Sequence, residues 1–350
     1  MNLLLIAPKI GDIYIDILNE LKKIGIDADY IEDSIYARDP RNIRIKKWYS
    51  NLRFNRNHCD KYFRNFWETC LAKNNYSKAY DFLLVIDGFR LHRVLFDELK
   101  RRNPKIFCVN YLFDSTRSLY HFESNFVFFD KVATFEQYDS MKFNILHLPI
   151  SWPIMTEQTS IRYKLFGMGV YSPIRFKLFN FIYNIAEEYK FKSYIKLYTP
   201  KINRIGLYTI KQMARKFLSL SRHISVSEYT SCYITHELLS GDQFRYYMQS
   251  SEVILDTIAF EQDGLTARCM WALGAGKKII TTNKSIKDYD FYSTSQIYVV
   301  EQYNEETKKD IVNFLQKETV ISSKTKQIIL KYRTDNWLKF LLDLETNRSI

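Results

Sequence analysis

The chain has 350 residues, 46% of them hydrophobic, and carries 51 Lys and Arg against 39 Asp and Glu for a formal charge of +12. That apolar content excludes a disordered chain and suffices for two domains of ordinary size, while the charge calls for an anionic partner or surface, whether nucleic acid, anionic lipid or a sugar diphosphate. Five widely spaced cysteines, Cys59, Cys70, Cys108, Cys232 and Cys269, form no C-x-x-C pair, which argues against a disulfide framework or zinc site and fits a reducing cytoplasm.

The opening MNLLLIAPKIGD is too short for a signal peptide and lacks a basic segment before its apolar run, and no stretch approaches 18 consecutive apolar residues. Any membrane association is therefore expected to be peripheral. Residues 3–7 read as a buried strand, 8–12 as a loop, and 13–24 as a helix with Ile13, Ile17, Leu21 and Ile24 on one face and Gly25 as its stop. Residues 26–31 follow as a second strand, without the glycine fingerprint of a dinucleotide site. The stretch from Arg41 to Trp67 sets eight Lys and Arg against Asp60 alone, with Trp48, Tyr49, Phe54, Phe63, Phe66 and Trp67 interleaved. It reads as a surface for an anionic membrane, as a track for a nucleic-acid backbone, or as a solvated helix pair whose aromatics pack on the sheet. For a transferase the membrane reading is preferred, and no nucleic acid is expected.

Residues 82–86 form a strand ending at Asp87-Gly88, and a helix near 92–102 turns Val94, Leu95 and Leu99 inward before Asn103-Pro104 stops it. The next strand, 106–111, ends at Leu112-Phe113-Asp114-Ser115, and 126–129, 130–135 and 145–148 continue the alternation. Asp12, Asp87, Asp114 and Glu136 thus fall where strands end. Each is a candidate to take a proton from an acceptor hydroxyl, with an N-cap or turn role as the alternative.

Residues 151–161, with Pro153 and a polar run, read as a linker between residues 1–150 and 162–330. A strand over 163–168 leads into Gly169-Val170-Tyr171-Ser172-Pro173, and Arg175 opens a helix running through Ile182 and Ile185. Residues 194–197 are a strand and 204–220 a basic amphipathic helix. Residues 253–255 close on Asp256 as a buried strand does, a polar loop reaches Gly264, and Leu265, Cys269 and Leu273 define one face of a helix over 265–273 that Gly274 and Gly276 can stop. With the strand at 277–282 this is a βαβ unit. Its loop and helix N-terminus lie at the carboxyl end of the sheet, where open α/β sheets bind ligands and a diphosphate is favoured; an ordinary βαβ unit that binds nothing stays open. A turn at 287–292, a strand at 297–300 and helices over 307–315 and 322–342 complete the chain.

Gly264-Leu265-Thr266-x-Arg268, Ala272-Leu273-Gly274-x-Gly276-Lys277-Lys278 with Ile280 to Asn283, and Tyr289-Asp290-Phe291-Tyr292 resemble the C-terminal half of bacterial surface-polysaccharide glycosyltransferases, which are related to the spore-maturation type of GT-B transferase. Tyr111-x-x-Asp114-Ser115, Phe129-Asp130-Lys131-Val132 and Phe135-Glu136-x-x-Asp139 match the N-terminal half in order. The resemblance implies an α/β GT-B fold of two Rossmann-like domains facing a cleft, with a further helix over 235–250 and with residues 331–350 returning as a helix to the N-terminal domain. It implies a nucleotide-sugar co-substrate, a saccharide or lipid-linked acceptor, and work at the inner face of the plasma membrane. Gly264, Leu265, Thr266, Arg268 and Asn283 would hold the donor with Arg175 assisting, and Asp114 first, Asp87 second, would act on the acceptor. Where the family usually has a Glu for the ribose, this chain has Trp271. A non-catalytic scaffold of the same fold therefore stays open.

Asp288-Tyr289-Asp290 and Asp27-Ala28-Asp29 both have the D-x-D form, but neither lies in a GT-A-like context, so no metal is expected. No cofactor is expected beyond the nucleotide sugar. The six histidines never pair at helical ligand spacing, and no nucleophile elbow or Walker A sequence is present.

Overall fold

The computed structural model describes residues 1–9, 13–33, 56–72, 76–117, 122–153, 159–201, 228, 230–258 and 262–344. Asp12, most of the stretch from Arg41 to Trp67 and the expected helix at 204–220 lie outside them. The described residues fall into two compact units, one drawn from Met1–Ser151, Phe260–Gly264 and Tyr332–Ile350, the other from Trp152–Ala259 and Leu265–Lys331.

In the first unit, β1 (Asn2–Ala7) leads to α1 (Ile13–Lys23), β2 (Asp27–Glu32), α2 (Arg56–Leu71), β3 (Phe82–Ile86), α3 (Arg93–Arg102), β4 (Phe107–Leu112), β5 (Lys131–Thr134), α4 (Gln137–Phe143) and β6 (Leu146–His147). The six strands pair in parallel in the order β2-β1-β3-β4-β5-β6. The unbroken run Phe82-Leu83-Leu84-Val85-Ile86 is buried along its whole length, as a central parallel strand covered on both faces requires. Leu4, Ile6, Leu83, Val85, Leu95, Phe96 and Trp67 share its core.

The strand expected at 126–129 is instead part of a 3₁₀ segment, Phe122–Phe128. Phe128 stacks on Phe96 at 4.7 Å, Phe129 meets the same ring edge-on at 5.2 Å, and Phe126 meets Phe143 at 5.6 Å. A strand would send Phe128 and Phe129 to opposite faces; the tighter turn brings both onto one ring. Phe66 and Trp67 are also core residues. The Trp67 indole is fully buried and donates to the Arg90 carbonyl at 2.6 Å, and Phe66 lies under the Arg90 guanidinium at 3.9 Å. Those two rings therefore do not serve a membrane surface.

The second unit comprises β7 (Tyr163–Val170), α5 (Pro173–Glu188), β8 (Ser193–Tyr198), β9 (Ile234–Thr235), α6 (Gly241–Gln249), β10 (Ser251–Asp256), α7 (Ala267–Gly274), β11 (Lys278–Thr281), β12 (Ile297–Val299), α8 (Glu305–Gln316) and α9 (Ser323–Leu330). Its parallel sheet runs β12-β11-β10-β7-β8-β9. Leu165, Leu178, Phe179, Ile182, Leu255, Ile280 and Leu315 fill its core. The helix expected over 235–250 begins only at Gly241, because Ser240 and Gln243 form a reciprocal capping box. The single helix expected over 322–342 is two, with α10 (Thr334–Leu341) belonging to the first unit. There the Trp337 indole donates to the Pro149 carbonyl at 3.1 Å and its ring meets Tyr111 edge-on at 4.7 Å.

Trp67→Ala should destabilise the first unit by about 3–5 kcal/mol, read as a lowered urea midpoint. An unchanged midpoint would show that the ring is not core.

Candidate functional site

Parallel strands deliver every loop that follows them to one edge of the sheet, and in the first unit that edge is rich in carboxylates. Asp87 follows β3 with φ +60° and Gly88 with φ +94°, a left-handed turn that Asp tolerates through its short polar side chain and Gly without cost. Asp87 Oδ1 accepts the amides of Phe113 at 2.6 Å and Asp114 at 3.0 Å, so it shapes the turn after β4. The Asn110 side chain closes the arrangement by donating to the carbonyls of Val85 and Asp87 at 3.1 and 3.2 Å. Asp87 is 1% exposed, and its Oδ2 has no hydrogen-bond partner among the described residues. Burial, with the Asp114 carboxylate beside it, pushes its pKa well above the usual carboxylate range. Asp114 is half-buried and is raised by burial, against the donated hydrogen bond of Gln262. Asp33, after β2, is fully buried and paired with Arg90 at 2.7 Å.

The next loop is held from α4. Asp139 accepts the Thr116 amide at 2.8 Å and its hydroxyl at 2.5 Å. Glu136, wholly buried, takes Arg117 at 2.9 Å and the amides of Asp263 and Gly264, each at 3.1 Å. Burial, and after it the Asp263 carboxyl, push Glu136 up to about 8, while the amides of Asp263 and Gly264 favour its charged form. The N–H of Gly264, one of the residues expected to hold the donor, donates to Glu136. Gly264 is needed for another reason, since a Cβ there would stand 2.5 Å from the Phe135 carbonyl oxygen.

In the second unit, β7 ends at Gly169-Val170, Ser172 caps α5 and Pro173 opens it. Arg175 folds back along Gly169, where a Cβ would lie 2.9 Å from the arginine Cδ. Its Nε donates to Thr257 Oγ1 at 3.0 Å and its Nη1 to the Val170 carbonyl. At the end of β10, Asp256 Oδ1 accepts the Thr266 hydroxyl at 2.6 Å and Arg268 Nη1 at 3.4 Å, while Oδ2 accepts the Thr281 hydroxyl at 3.1 Å. Burial and the nearby Arg268 charge lower Arg175 to about 10, and burial lowers Arg268, whose Nε is buried with no partner among the described residues. Arg268 is paired with Asp256 while Arg175 is held by the neutral oxygens of Thr257 and Val170, a local excess of positive charge beside the start of α7.

Arg175 and Arg268 are brought together, but three other predicted donor residues have internal work. Thr266 caps α7, its oxygen accepting the Cys269 amide at 3.1 Å while its proton goes to Asp256. The Leu265 side chain is 1% exposed and belongs to the core. Asn283 accepts the amide and hydroxyl of Ser285 at 3.0 and 2.6 Å, capping a 3₁₀ turn over Lys284–Asp288. Trp271 is buried in α7, edge-on to Phe244 and 5.5 Å beneath the Arg245 guanidinium. Asp256 and Thr257 were missed as site residues, because an Asp-Thr after an apolar run reads as a strand end with no partner in view.

No family model matches the chain, and no curated protein matches its sequence. Its fold is nonetheless shared with solved structures. The N-terminal domain of Candida albicans trehalose-6-phosphate phosphatase matches with 12% identity over 100% of this chain and 97% of that one, at a TM-score of 0.55. An α,α-trehalose 6-phosphate synthase from Burkholderia multivorans matches with 10% identity over 99% and 100%, at 0.54. A UDP-N-acetylglucosamine 2-epimerase matches with 12% identity over 100% and 97%, at 0.52. The fold is GT-B, with two Rossmann-like parallel sheets. At these identities the likeness establishes the fold alone.

Gly264→Ala should lower the urea midpoint by the equivalent of about 1–3 kcal/mol, through the collision with Phe135 and disturbance of the amides on Glu136. Wild-type stability would show that the loop relaxes freely.

Proposed function

We propose that the protein is a glycosyltransferase that moves a sugar from a nucleotide-sugar donor to a saccharide or lipid-linked acceptor. The assembly of lipopolysaccharide, capsule or exopolysaccharide is the setting we assign to it, at the inner face of the plasma membrane. The observation that carries the reading is the pair Arg175, held by Thr257 and Val170, and Arg268, held by Asp256, at the carboxyl edge of the second sheet. Planar guanidinium groups suit the oxygens of a diphosphate, and their fixed charge would stabilise the negative charge that develops on the departing nucleoside diphosphate without a metal. The GT-B fold places this pair on a sheet edge of the type that binds nucleotides in open α/β proteins. A trehalose-phosphate synthase and a UDP-N-acetylglucosamine 2-epimerase among the structural neighbours support a sugar-nucleotide ligand.

Asp114 is the residue assigned to the acceptor. It takes the proton of the acceptor hydroxyl as that oxygen bonds to the anomeric carbon, and the donor diphosphate leaves with the electron pair of the broken bond. The basic and aromatic stretch that begins at Arg41 is the candidate contact with an anionic membrane, carried by residues other than Phe66 and Trp67.

A second reading, a non-catalytic scaffold of the same fold, is favoured by one observation. Trp271 is buried against Phe244 and Arg245, and the hydroxyl of Thr266 and the amide of Asn283 are already engaged.

A thermal-shift panel of nucleoside diphosphates and nucleotide sugars separates the two. One nucleotide should raise the melting temperature selectively, and Arg268→Ala should abolish the shift and lower turnover about 100-fold while the variant stays folded. No stabilisation by any member of the panel would sink the transferase reading in favour of the scaffold.

A further inference from the structure

Asp87 stands behind Asp114, and its surroundings are not those of an ionised carboxylate. Its Oδ1 takes two backbone amides, which is ample for a neutral carbonyl oxygen. Its Oδ2 is sealed from solvent and receives no donor among the described residues. The titratable groups that face it are the carboxylates of Asp114, on the turn after β4, and Asp33, after β2; Asp33 already holds Arg90. A charge on Asp87 would thus be buried, half-solvated by hydrogen bonds and opposed by its neighbour, a state that proteins avoid by neutralising the group.

We propose that Asp87 stays protonated in the folded protein and acts as a positioning residue, gripping the Phe113 and Asp114 amides from its left-handed turn so that Asp114 is the ionised carboxylate presented to the acceptor. The role of Asp114 rests on the transferase reading above; the protonation of Asp87 does not. The burial that raises Asp87 is consistent with this division, one acidic group kept neutral to hold the turn and the other left half-exposed to exchange protons.

Linkage gives a test that needs no substrate. A carboxyl whose folded pKa lies above its unfolded value of 3.8 binds its proton more tightly in the folded state, so its contribution is complete below pH 3.8 and is lost as pH rises toward the folded pKa. Asp87→Asn keeps an acceptor for the two amides, tolerates the left-handed backbone and cannot ionise. The melting temperature of Asp87→Asn minus that of wild type should therefore climb as pH rises above 3.8, by roughly 3 °C per pH unit until the folded pKa is passed. A flat or falling difference would show that Asp87 is ionised and overturn the proposal.

The positioning role is read from turnover of the donor that the thermal-shift panel selects. Asp87→Ala should lose about 100-fold in kcat, Asp87→Asn should recover most of it with an unmoved acidic limb in its pH profile, and Asp114→Asn should be inactive. An Asn variant as slow as the Ala variant would mean that the Asp87 proton itself takes part and would overturn the positioning role. Should no donor turn over in wild type, the transferase reading fails with the Asp114 assignment, while the melting-temperature slope still decides Asp87.

Discussion

Carboxylates buried where parallel strands end take up the amides and hydroxyls of strand-end loops that have no ladder of their own. In the first unit Asp87 holds the turn after β4, Asp139 holds Thr116, and Glu136 holds Asp263 and Gly264. In the second, Asp256 holds Thr266, Thr281 and Arg268 together. An unpaired backbone amide buried at such an edge would cost about 1–3 kcal/mol, so each carboxylate fixes its loop while accepting the penalty of its own desolvation. That penalty is what raises Asp87 and Glu136 above the ordinary carboxylate range.

The same device decides which groups remain for a ligand. An oxygen that receives two amides has little left to offer, and a threonine that caps a helix and donates to a carboxylate cannot also turn to a phosphate. Among the groups assigned to donor and acceptor, those that keep unused capacity are the guanidinium groups of Arg175 and Arg268 in one unit and the half-buried carboxylate of Asp114 in the other. Structural engagement thus narrows the chemistry to groups that are positioned but not exhausted.

How much of this was legible in the sequence follows from the range over which each feature is determined. The apolar run of β3 and the Ser-Pro start of α5 are local, and short-range physical chemistry specifies them; the Ser-Gly-Asp-Gln capping box of α6 is local too, but a helix expected from residue 235 passed over it. The motif stretches of the first unit were also visible, but not their reason: Asp139 of one motif bonds Thr116 at the end of the other, and Glu136 bonds residues 127 positions away. A partner that far along the chain leaves no trace in local pattern. The 3₁₀ segment at Phe122–Phe128 was hidden for a related cause, because its aromatic content suggests strand while its packing needs several rings on Phe96 and Phe143.

Arg175 and Arg268 show why such a site stands ready for an anion. Each guanidinium is partly withdrawn from water, and that burial first, with the Arg268 charge second, lowers Arg175 to about 10. Asp256 offsets one positive charge and leaves the other uncompensated. Arg175 is held by Thr257 and Val170, and Arg268 by an Asp256 that two threonine hydroxyls fix, so neither arginine can swing away to relieve the repulsion without breaking its own hydrogen bonds. An arriving dianion would relieve it at once, with little reorganisation of the protein, which is the condition under which fixed charges contribute most to binding and to a transition state.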